Sequence, residues 1–141
     1  IKMNYKIIGK YIKDLNFSIP NPKVFSSLSK DISKYKINID IRSNQLKQNI
    51  IEVWTTLNLT PIKEDFEKIN TKIVFAAIVE LKADKLEKKD IEKIVLIEVP
   101  SKIYSELRNI FVRLFENSGF KDIKINENVD FQKLYDMRKI Q

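Results

Sequence analysis

The 141-residue sequence contains no cysteine, no histidine and only two glycines. Without cysteine and histidine, the chain has no thiolate or imidazole metal ligand, no cysteine nucleophile and no catalytic triad with a histidine base. Two isolated glycines cannot form the glycine-rich loop that holds a phosphate group. An enzyme built on carboxylates and lysines remains as an alternative, but no motif supports it. We therefore expect no catalytic site, no metal and no cofactor.

Long hydrophobic runs are absent as well. No apolar stretch is long enough to span a bilayer, and the sequence does not start with a basic segment followed by an apolar one. The absence of an export signal predicts a cytoplasmic protein, and the absence of cysteine is compatible with a reducing compartment. The length favours one domain, covering residues 1–141.

The charge is strongly basic, with 26 lysines and arginines against 19 acidic residues and a net charge of +7. A basic balance is one argument for a nucleic-acid-binding module. However, the lysines are mixed with acidic residues, for example in 63–68 and 85–90. Interspersed signs are typical of a solvated surface, so nucleic acid is the less favoured partner.

Four stretches predict β-strands because their residues alternate between apolar and polar or form short apolar runs. The stretch 35–42 has Tyr35 and isoleucines on one face and polar residues on the other, which indicates one buried and one wet face. The last stretch is apolar on both faces, so its second face needs a cover, and another subunit is the natural candidate. The predicted strands are 5–19, 35–42, 50–60 and 72–81.

The connections between these strands are predicted as loops. Pro20 and Pro22 end the first strand, because proline cannot donate to a sheet ladder. The segment 20–34 that follows is interpreted as a crossing loop rather than a free linker, since it contains the apolar anchors Val24, Phe25, Leu28 and Ile32. The other predicted loops are 43–48, 61–71 and 82–89.

After the fourth strand, the apolar residues follow a helical period. Asp90 is a candidate N-cap for a helix that begins at Ile91. Pro100 predicts a kink or break in this helix, after which Ser101 can restart it. One wide apolar stripe is formed by Ile103, Leu107, Ile110, Phe111, Leu114 and Phe115.

Two further signals concern the end of the chain. Gly119 followed by Phe120 predicts the end of the first helix. Asp130 is a candidate N-cap for a short last helix. Four strands followed by two helices predict an α+β fold, namely a four-stranded antiparallel sheet with two C-terminal helices on one side. The last helix is expected to carry Phe131, Leu134 and Tyr135 on one side.

Residues 11–21 follow the pattern Tyr-x-Lys-Asp-Leu-x-Phe-x-x-Pro-Asn, which resembles the signature of the SecB family of protein-export chaperones. Similar positions continue at 100–103, at 119–120 and at 125–131. The chain departs from the family at Asn128, where proline is usual, and in the loop 61–71, which is longer than usual. It also lacks the usual glycine pair and aromatic residue, since 82–85 stands in their place.

This resemblance implies the α+β fold described above and an ATP-independent chaperone, or holdase. Such a protein binds unfolded preproteins in apolar grooves and keeps them competent for Sec-dependent export. It is a cytoplasmic homotetramer, a dimer of dimers, and it needs no nucleotide. The two-sided apolarity of the fourth strand and the wide helical stripe also favour a homo-oligomer.

The resemblance further implies where the functional residues lie, although core packing is the simpler interpretation of each apolar one. Docking of the export motor SecA is expected at Asp14, Ser18 and Ile78, where the family carries carboxylates and this chain keeps only Asp14. The expected client-binding residues are Phe17, Pro20, Phe25, Leu28, Tyr35, Ile37, Ile39, Trp54 and Phe75. The expected oligomer interface comprises Tyr11, Ile103, Leu107, Phe111 and Phe115.

One alternative within the family is a SecB-like chaperone that serves the antitoxin of a toxin–antitoxin system. The loss of acidic docking positions mildly favours it. The basic surface is also expected to attract acidic client segments, and client binding would then weaken with salt.

Overall fold

The computed structural model of the protein describes residues 4–31, 35–62, 69–82, 86–121, 123 and 125–140. Ile32, residues 63–68 of the predicted loop 61–71 and residues 83–85 of the predicted loop 82–89 lie outside these residues. The described chain forms four strands, β1 (Tyr5–Ser18), β2 (Tyr35–Lys47), β3 (Ile50–Pro61) and β4 (Asn70–Leu81). The helical elements are α1 (Pro22–Asp31), α2 (Lys88–Lys93), a π-helical segment (Ile94–Glu98), α3 (Val99–Asn117) and α4 (Phe131–Ile140).

The strands form one antiparallel sheet in the order β1-β4-β3-β2, which confirms the predicted α+β fold. Alternate residues of β3 and β4, among them Val53, Leu57 and Ile73, share a buried core with Leu107 and Phe111 of α3. We call this covered side of the sheet the inner face and the opposite side the outer face. β4 is buried on both faces, because Ala76 on the outer face is as inaccessible as its inner neighbours. The prediction of two-sided burial is thus confirmed.

β2 is longer than the sequence predicted, since it continues to Lys47 through the segment expected to be a loop. Residues 43–47, which are polar except for Leu46, lie on the edge of the sheet, where their side chains stay in water while their backbone pairs with β3. A two-residue turn then connects the strands, and Asn49 takes a φ of 68°. Asparagine tolerates this left-handed conformation better than most residues, which suits it to a tight hairpin.

The segment 20–34, predicted as a loop, instead contains helix α1, and this prediction was wrong. The Asn21 side chain accepts a hydrogen bond from the Val24 backbone N–H at 2.9 Å, and Pro22 is the first helical residue. Asparagine at the N-cap with proline next is a helix start as well as a strand stop. Val24 and Leu28, four residues apart, are buried and hold the helix on the core.

The π-helical segment joins helices α2 and α3 into one continuous helical rod, Lys88–Asn117. Pro100 therefore causes no break in this rod. Proline has no backbone N–H to donate, and the preceding turn widens so that the Val99 N–H reaches the Ile94 carbonyl, five residues back. The rod begins at Lys88 after Glu87 in the N-cap position, earlier than predicted, and Asp90 lies in the first turn instead of capping it.

The end of α3 is the predicted glycine stop, and the structure confirms it. Gly119 has a φ of 96°, and its N–H donates to the Glu116 carbonyl at 3.1 Å. The Phe120 N–H reaches back to the Phe115 carbonyl at 3.0 Å, and the two rings lie 5.6 Å apart. These two hydrogen bonds and the ring contact are those of a Schellman motif.

The connection from α3 to α4 is attached to α3 by two side chains. The Tyr104 hydroxyl donates to the Asn126 carbonyl at 2.8 Å. The Arg108 guanidinium donates twice to the Ile125 carbonyl, at 3.1 and 3.0 Å. Burial raises the pKa of the Tyr104 phenol, an effect that nearby Arg108 partly offsets, so the hydroxyl remains a donor at neutral pH.

Helix α4 begins as predicted, because the Asp130 carboxylate accepts the Lys133 backbone N–H at 3.0 Å. Phe131 and Tyr135 are buried against the core. Leu134 was expected on the same side but is 44% exposed. Residues four apart share a helix face, whereas Leu134 lies at the margin of that face.

Candidate functional site

The inner face of β2 is only partly covered by the helices. Ile37, Ile39 and Ile41 all face inward, yet each is half buried, because β2 is an edge strand and the helical layer is narrower than the sheet. The alternation recognised in the sequence therefore produces a row of accessible isoleucines. Three clefts follow one another along this row.

The first cleft is small, about 60 Å³, and lies where β2 begins. Tyr35 and Ile37 form its strand side, and Phe111 and Phe115 of α3 form its floor. Ile123 and Ile125 belong to the connection that Tyr104 and Arg108 hold in place. This first cleft is lined almost entirely by apolar side chains.

The second and third clefts measure about 220 and 600 Å³ and join into one groove between β2 and the helices. They share Ile41, Leu96 of the π-helical segment and Arg138 of α4. We call the joined clefts the β2 groove. Its apolar floor and walls are Ile39, Ile41, Ile91, Val95, Leu96, Leu134 and Tyr135, and its polar rim is Asp40, Arg42, Ser43, Lys88, Glu92 and Arg138.

A cluster of aromatic rings lies beside α1. The Phe17 ring meets Phe115 edge-on at 5.0 Å, and Phe25 lies 4.8 Å from Phe120. Phe25 covers the α3 stop closely, since a Cβ added at Gly119 would come within 3.3 Å of its ring. Phe25 remains 37% exposed and Phe17 is half buried, so this cluster continues the apolar surface toward solvent.

A polar cluster occupies the outer face. The Glu52 carboxylate is only 7% exposed, and it accepts hydrogen bonds from the Tyr11 hydroxyl and from Trp54 Nε1. Lys13 Nζ lies 4.8 Å from the centre of the Trp54 ring, within cation–π distance. The hydrogen bond to Glu52 raises the pKa of Tyr11, with smaller contributions from desolvation and from the negative charge of Glu52.

The expected SecA-docking residues all lie on this outer face. Asp14 pairs with Val74, Ile78 pairs with Gly9, and Ser18 is at the far end of β1. Lys13 and Lys72 line the same outer cleft as Asp14. The arrangement is one face with mixed charge rather than an acidic surface.

The expected client-binding residues divide into three groups. Phe17, Pro20, Phe25, Ile37 and Ile39 are exposed or half buried on the inner side and its margin. Leu28, Tyr35 and Phe75 are buried in the core. Trp54 is half buried on the outer face, bonded to Glu52 and away from the others.

The residues expected at an oligomer interface are placed differently from one another. Tyr11 is 41% exposed on β1. The α3 stripe is covered by the sheet of the same chain, and its buried members are Ile103, Leu107, Phe111 and Phe115. A helix that lies on its own sheet buries its apolar stripe there first.

Sequence reasoning did not include the contributions of α2, the π-helical segment and α4 to the groove. Arg138 and Leu96 are far apart in the sequence, and only the folded chain brings them beside Ile41. No group of three or more acidic residues that could hold a metal ion occurs in the described part of the chain. Within the same residues, no helix has the length and apolarity needed to cross a bilayer.

The sheet, the helices on its inner face and the open groove define an α+β protein with accessible apolar surface beside an edge strand. Comparison with protein families matches residues 2–141 to the SecB family, described as "Preprotein translocase subunit SecB". The chain therefore belongs to the SecB family, as the signature in 11–21 indicated.

Individual relatives agree with this assignment. A SecB relative from Pelagibacter ubique is 42% identical over 135 residues, covering 96% of each chain. Protein-export protein SecB of Rhodospirillum rubrum is 30% identical and covers 92% of this chain and 78% of its own. The SecB-like chaperone of Mycobacterium tuberculosis, solved with a peptide from an antitoxin, has a TM-score of 0.63. It covers 87% of this chain and 90% of its own at 10% identity, so the likeness concerns the fold.

Proposed function

We propose that the protein is an ATP-independent holdase that binds unfolded preproteins in the cytoplasm and keeps them competent for Sec-dependent export. The observation that carries the proposal is the β2 groove, an apolar channel open to solvent beside an edge strand in a chain of the SecB family. No nucleotide, metal or catalytic group is required, because covering exposed apolar side chains is itself the activity. Binding the unfolded state preferentially holds the client away from its native fold.

The groove suits a client in extended conformation. Ile37, Ile39 and Ile41 follow one another at every second residue, about 6.6 Å apart along a strand. An extended client presents alternate side chains at the same interval, so successive apolar side chains meet successive isoleucines. Each Å² removed from water contributes only about 25 cal/mol, so stable binding requires several side chains at once. This favours clients that stay unfolded over a long stretch.

We assign the client contacts within the expected set by accessibility. Phe17, Pro20 and Phe25 contact the client near α1, and Ile37 and Ile39 contact it along β2. Leu28, Tyr35 and Phe75 support this surface from beneath, because they are buried. Trp54 reaches a client only where the client passes around to the outer face.

We further propose that the protein assembles as a homotetramer, a dimer of dimers. β1 is an edge strand of 14 residues with exposed apolar side chains, among them Ile8, Ile12 and Leu15. Such an edge has unpaired backbone groups that a second copy can pair with, and this protects it from aggregation. We propose that the copies contact each other through the β1 edge, which includes Tyr11. The α3 stripe stays within each copy and makes that copy more rigid.

We propose that SecA docks only weakly to this outer face. Asp14 is acidic, but Lys13 and Lys72 stand in the same cleft and oppose a basic partner surface. Binding of purified SecA measured with and without added salt tests this. Tight SecA binding by the unaltered protein would contradict the proposal.

The holdase proposal is tested by diluting a slowly folding, chemically unfolded preprotein into buffer without ATP. We expect stoichiometric amounts of the protein to suppress aggregation of the client and to delay its folding. Equal aggregation with and without the protein would refute the proposal. Lysozyme in its folded state serves as the control client, because it exposes no unfolded apolar segment.

A chaperone that serves one antitoxin is a second candidate. It is favoured by the presence of only one carboxylate among the three SecA-docking positions. The two functions differ in their range of clients. Binding of several unrelated preproteins with similar affinity supports export, whereas binding of one cellular partner and none of the preproteins supports a dedicated role.

A further inference from the structure

The rim of the β2 groove is charged, and its charges are not all paired. Arg42 and Asp40 form an ion pair at 3.1 Å, and their side chains alternate with the inward isoleucines and lie on the outer face, so this pair adds no net charge to the groove. Lys88 on α2 and Arg138 on α4 form no ion pair with any described carboxylate. Glu92 is the remaining acidic residue on the rim, and the rim therefore keeps one positive charge in excess.

Arg138 has the central position among these cations. It lines both of the clefts that join to form the groove, beside Ile41 and Leu96. A guanidinium there stands next to apolar side chains, and a bound segment would remove part of its water. An oppositely charged group on that segment would then be screened less than at an open surface. Arginine also offers two parallel donors to one carboxylate.

We propose that the β2 groove selects extended client segments in which an aspartate or glutamate accompanies apolar side chains, with Arg138 as the main contact of the carboxylate and Lys88 as the second. The inference rests on the proposed holdase function and specifies its client class. Segments with lysine or arginine at the same position are disfavoured, because like charges would meet over the apolar floor. The net charge of +7 adds a general attraction, but only the rim fixes the position of the acidic residue.

The test uses three labelled peptides that share the same apolar residues and differ only in carrying two aspartates, two asparagines or two lysines. Their binding to the full chain is followed by fluorescence anisotropy at low and high ionic strength. At low salt we expect the aspartate peptide to bind about threefold to tenfold more tightly than the lysine peptide, as expected for one or two half-exposed ion pairs. High salt should reduce the difference.

Two variants locate the effect. Arg138→Gln is expected to remove most of the difference between the aspartate and lysine peptides. Lys133→Gln, which removes the same charge from an exposed position of α4 outside the groove, is expected to leave the difference unchanged. Equal loss in both variants would show a general charge effect and would overturn the assigned position.

The outcomes separate this inference from the proposed function. If the asparagine peptide binds and the three peptides have equal affinities, the charge selection is refuted and the holdase stands. If the lysine peptide binds more tightly, the selection is also refuted. If no peptide binds to the folded protein, both the inference and the groove-based function fail.

Discussion

At the scale of single residues, Glu52 has the most constrained environment on the outer face. An ionised carboxylate is costly to bury unless donors satisfy it. Glu52 has two, the Tyr11 hydroxyl from β1 and Trp54 Nε1 from its own strand. The carboxylate thereby connects β1 to β3 across β4, which lies between them. Glu52 thereby fixes the positions of the Tyr11 and Trp54 side chains.

Replacing Glu52 with glutamine is expected to lower the pKa of Tyr11 toward its ordinary value near 10, because the hydrogen bond to the carboxylate is the largest cause of the raised value. A raised pKa in the folded state means that this interaction contributes its full stability below pH 10 and loses it as the pH rises through the folded-state pKa. Tyrosinate absorbance during an alkaline titration measures the shift, and Tyr11→Phe identifies the transition. An unchanged Tyr11 titration in Glu52→Gln would contradict the assignment.

Gly119 allows a second test at this scale. Gly119→Ala forces a side chain into the left-handed region and places its Cβ 3.3 Å from the Phe25 ring. We expect a loss of about 1–2 kcal/mol in the free energy of unfolding, measured with urea. Gly9→Ala is the control, since its Cβ meets Ile78 at 3.4 Å without a positive φ and should cost less. Equal losses for the two variants would count against the strained stop of α3.

Strand β3 shows which residue positions can be predicted from the sequence alone. The alternation in β3 correctly separated Val53 and Leu57 from Glu52 and Trp54. It did not reveal that Glu52 is buried, because its donor Tyr11 lies 41 residues away on a strand that pairs with β4. Strand order and register decide such contacts, and a single sequence does not display them.

At the scale of elements, α1 is the clearest difference between expectation and structure. Pro20 and Pro22 were interpreted as a strand stop before a crossing loop, and together with Asn21 they are also a helix start. The apolar anchors recognised in this segment, Val24 and Leu28, lie four residues apart, which is a helical spacing. A ten-residue helix gives only a short periodic pattern, and the two prolines beside it favoured the interpretation as a loop.

Replacing Asn21 with alanine removes the acceptor of the Val24 N–H and is expected to destabilise the protein by about 1 kcal/mol. Ser26→Ala, on the exposed side of the same helix, should have little effect. Urea unfolding of both variants measures the difference. If Asn21→Ala is as stable as Ser26→Ala, the cap contributes nothing and α1 depends on its buried residues alone.

The helical rod was predicted in outline but not in detail. Pro100 predicted a kink or a break, and the chain continues without a break through a wider π-helical turn. That turn carries Val95 and Leu96 into the groove wall. The groove was therefore only partly predictable, through Ile39, because its second wall depends on how the rod and α4 pack beside β2.

At the scale of the whole molecule, the β1 edge is the surface that most needs a partner. Ile12 is 44% exposed in this edge strand, and Ile12→Lys places a charge where we propose that two copies pair. We expect the variant to have a smaller mass in light scattering than the parent protein, for which we propose a tetramer. Leu46→Lys is the control, because Leu46 is 45% exposed at the far end of β2. A parent protein that is monomeric at micromolar concentration would contradict the proposed assembly.

The most direct test of the central claim compares groove variants with a matched surface variant in the aggregation assay without ATP. Leu134 is 44% exposed and lines the β2 groove, whereas Leu46 is 45% exposed and does not. We expect Leu134→Gln combined with Ile39→Thr to lose most of the suppression of client aggregation, while Leu46→Gln retains it, with urea unfolding showing that all variants are folded. Full suppression by the folded double variant would contradict the claim that the β2 groove holds the client.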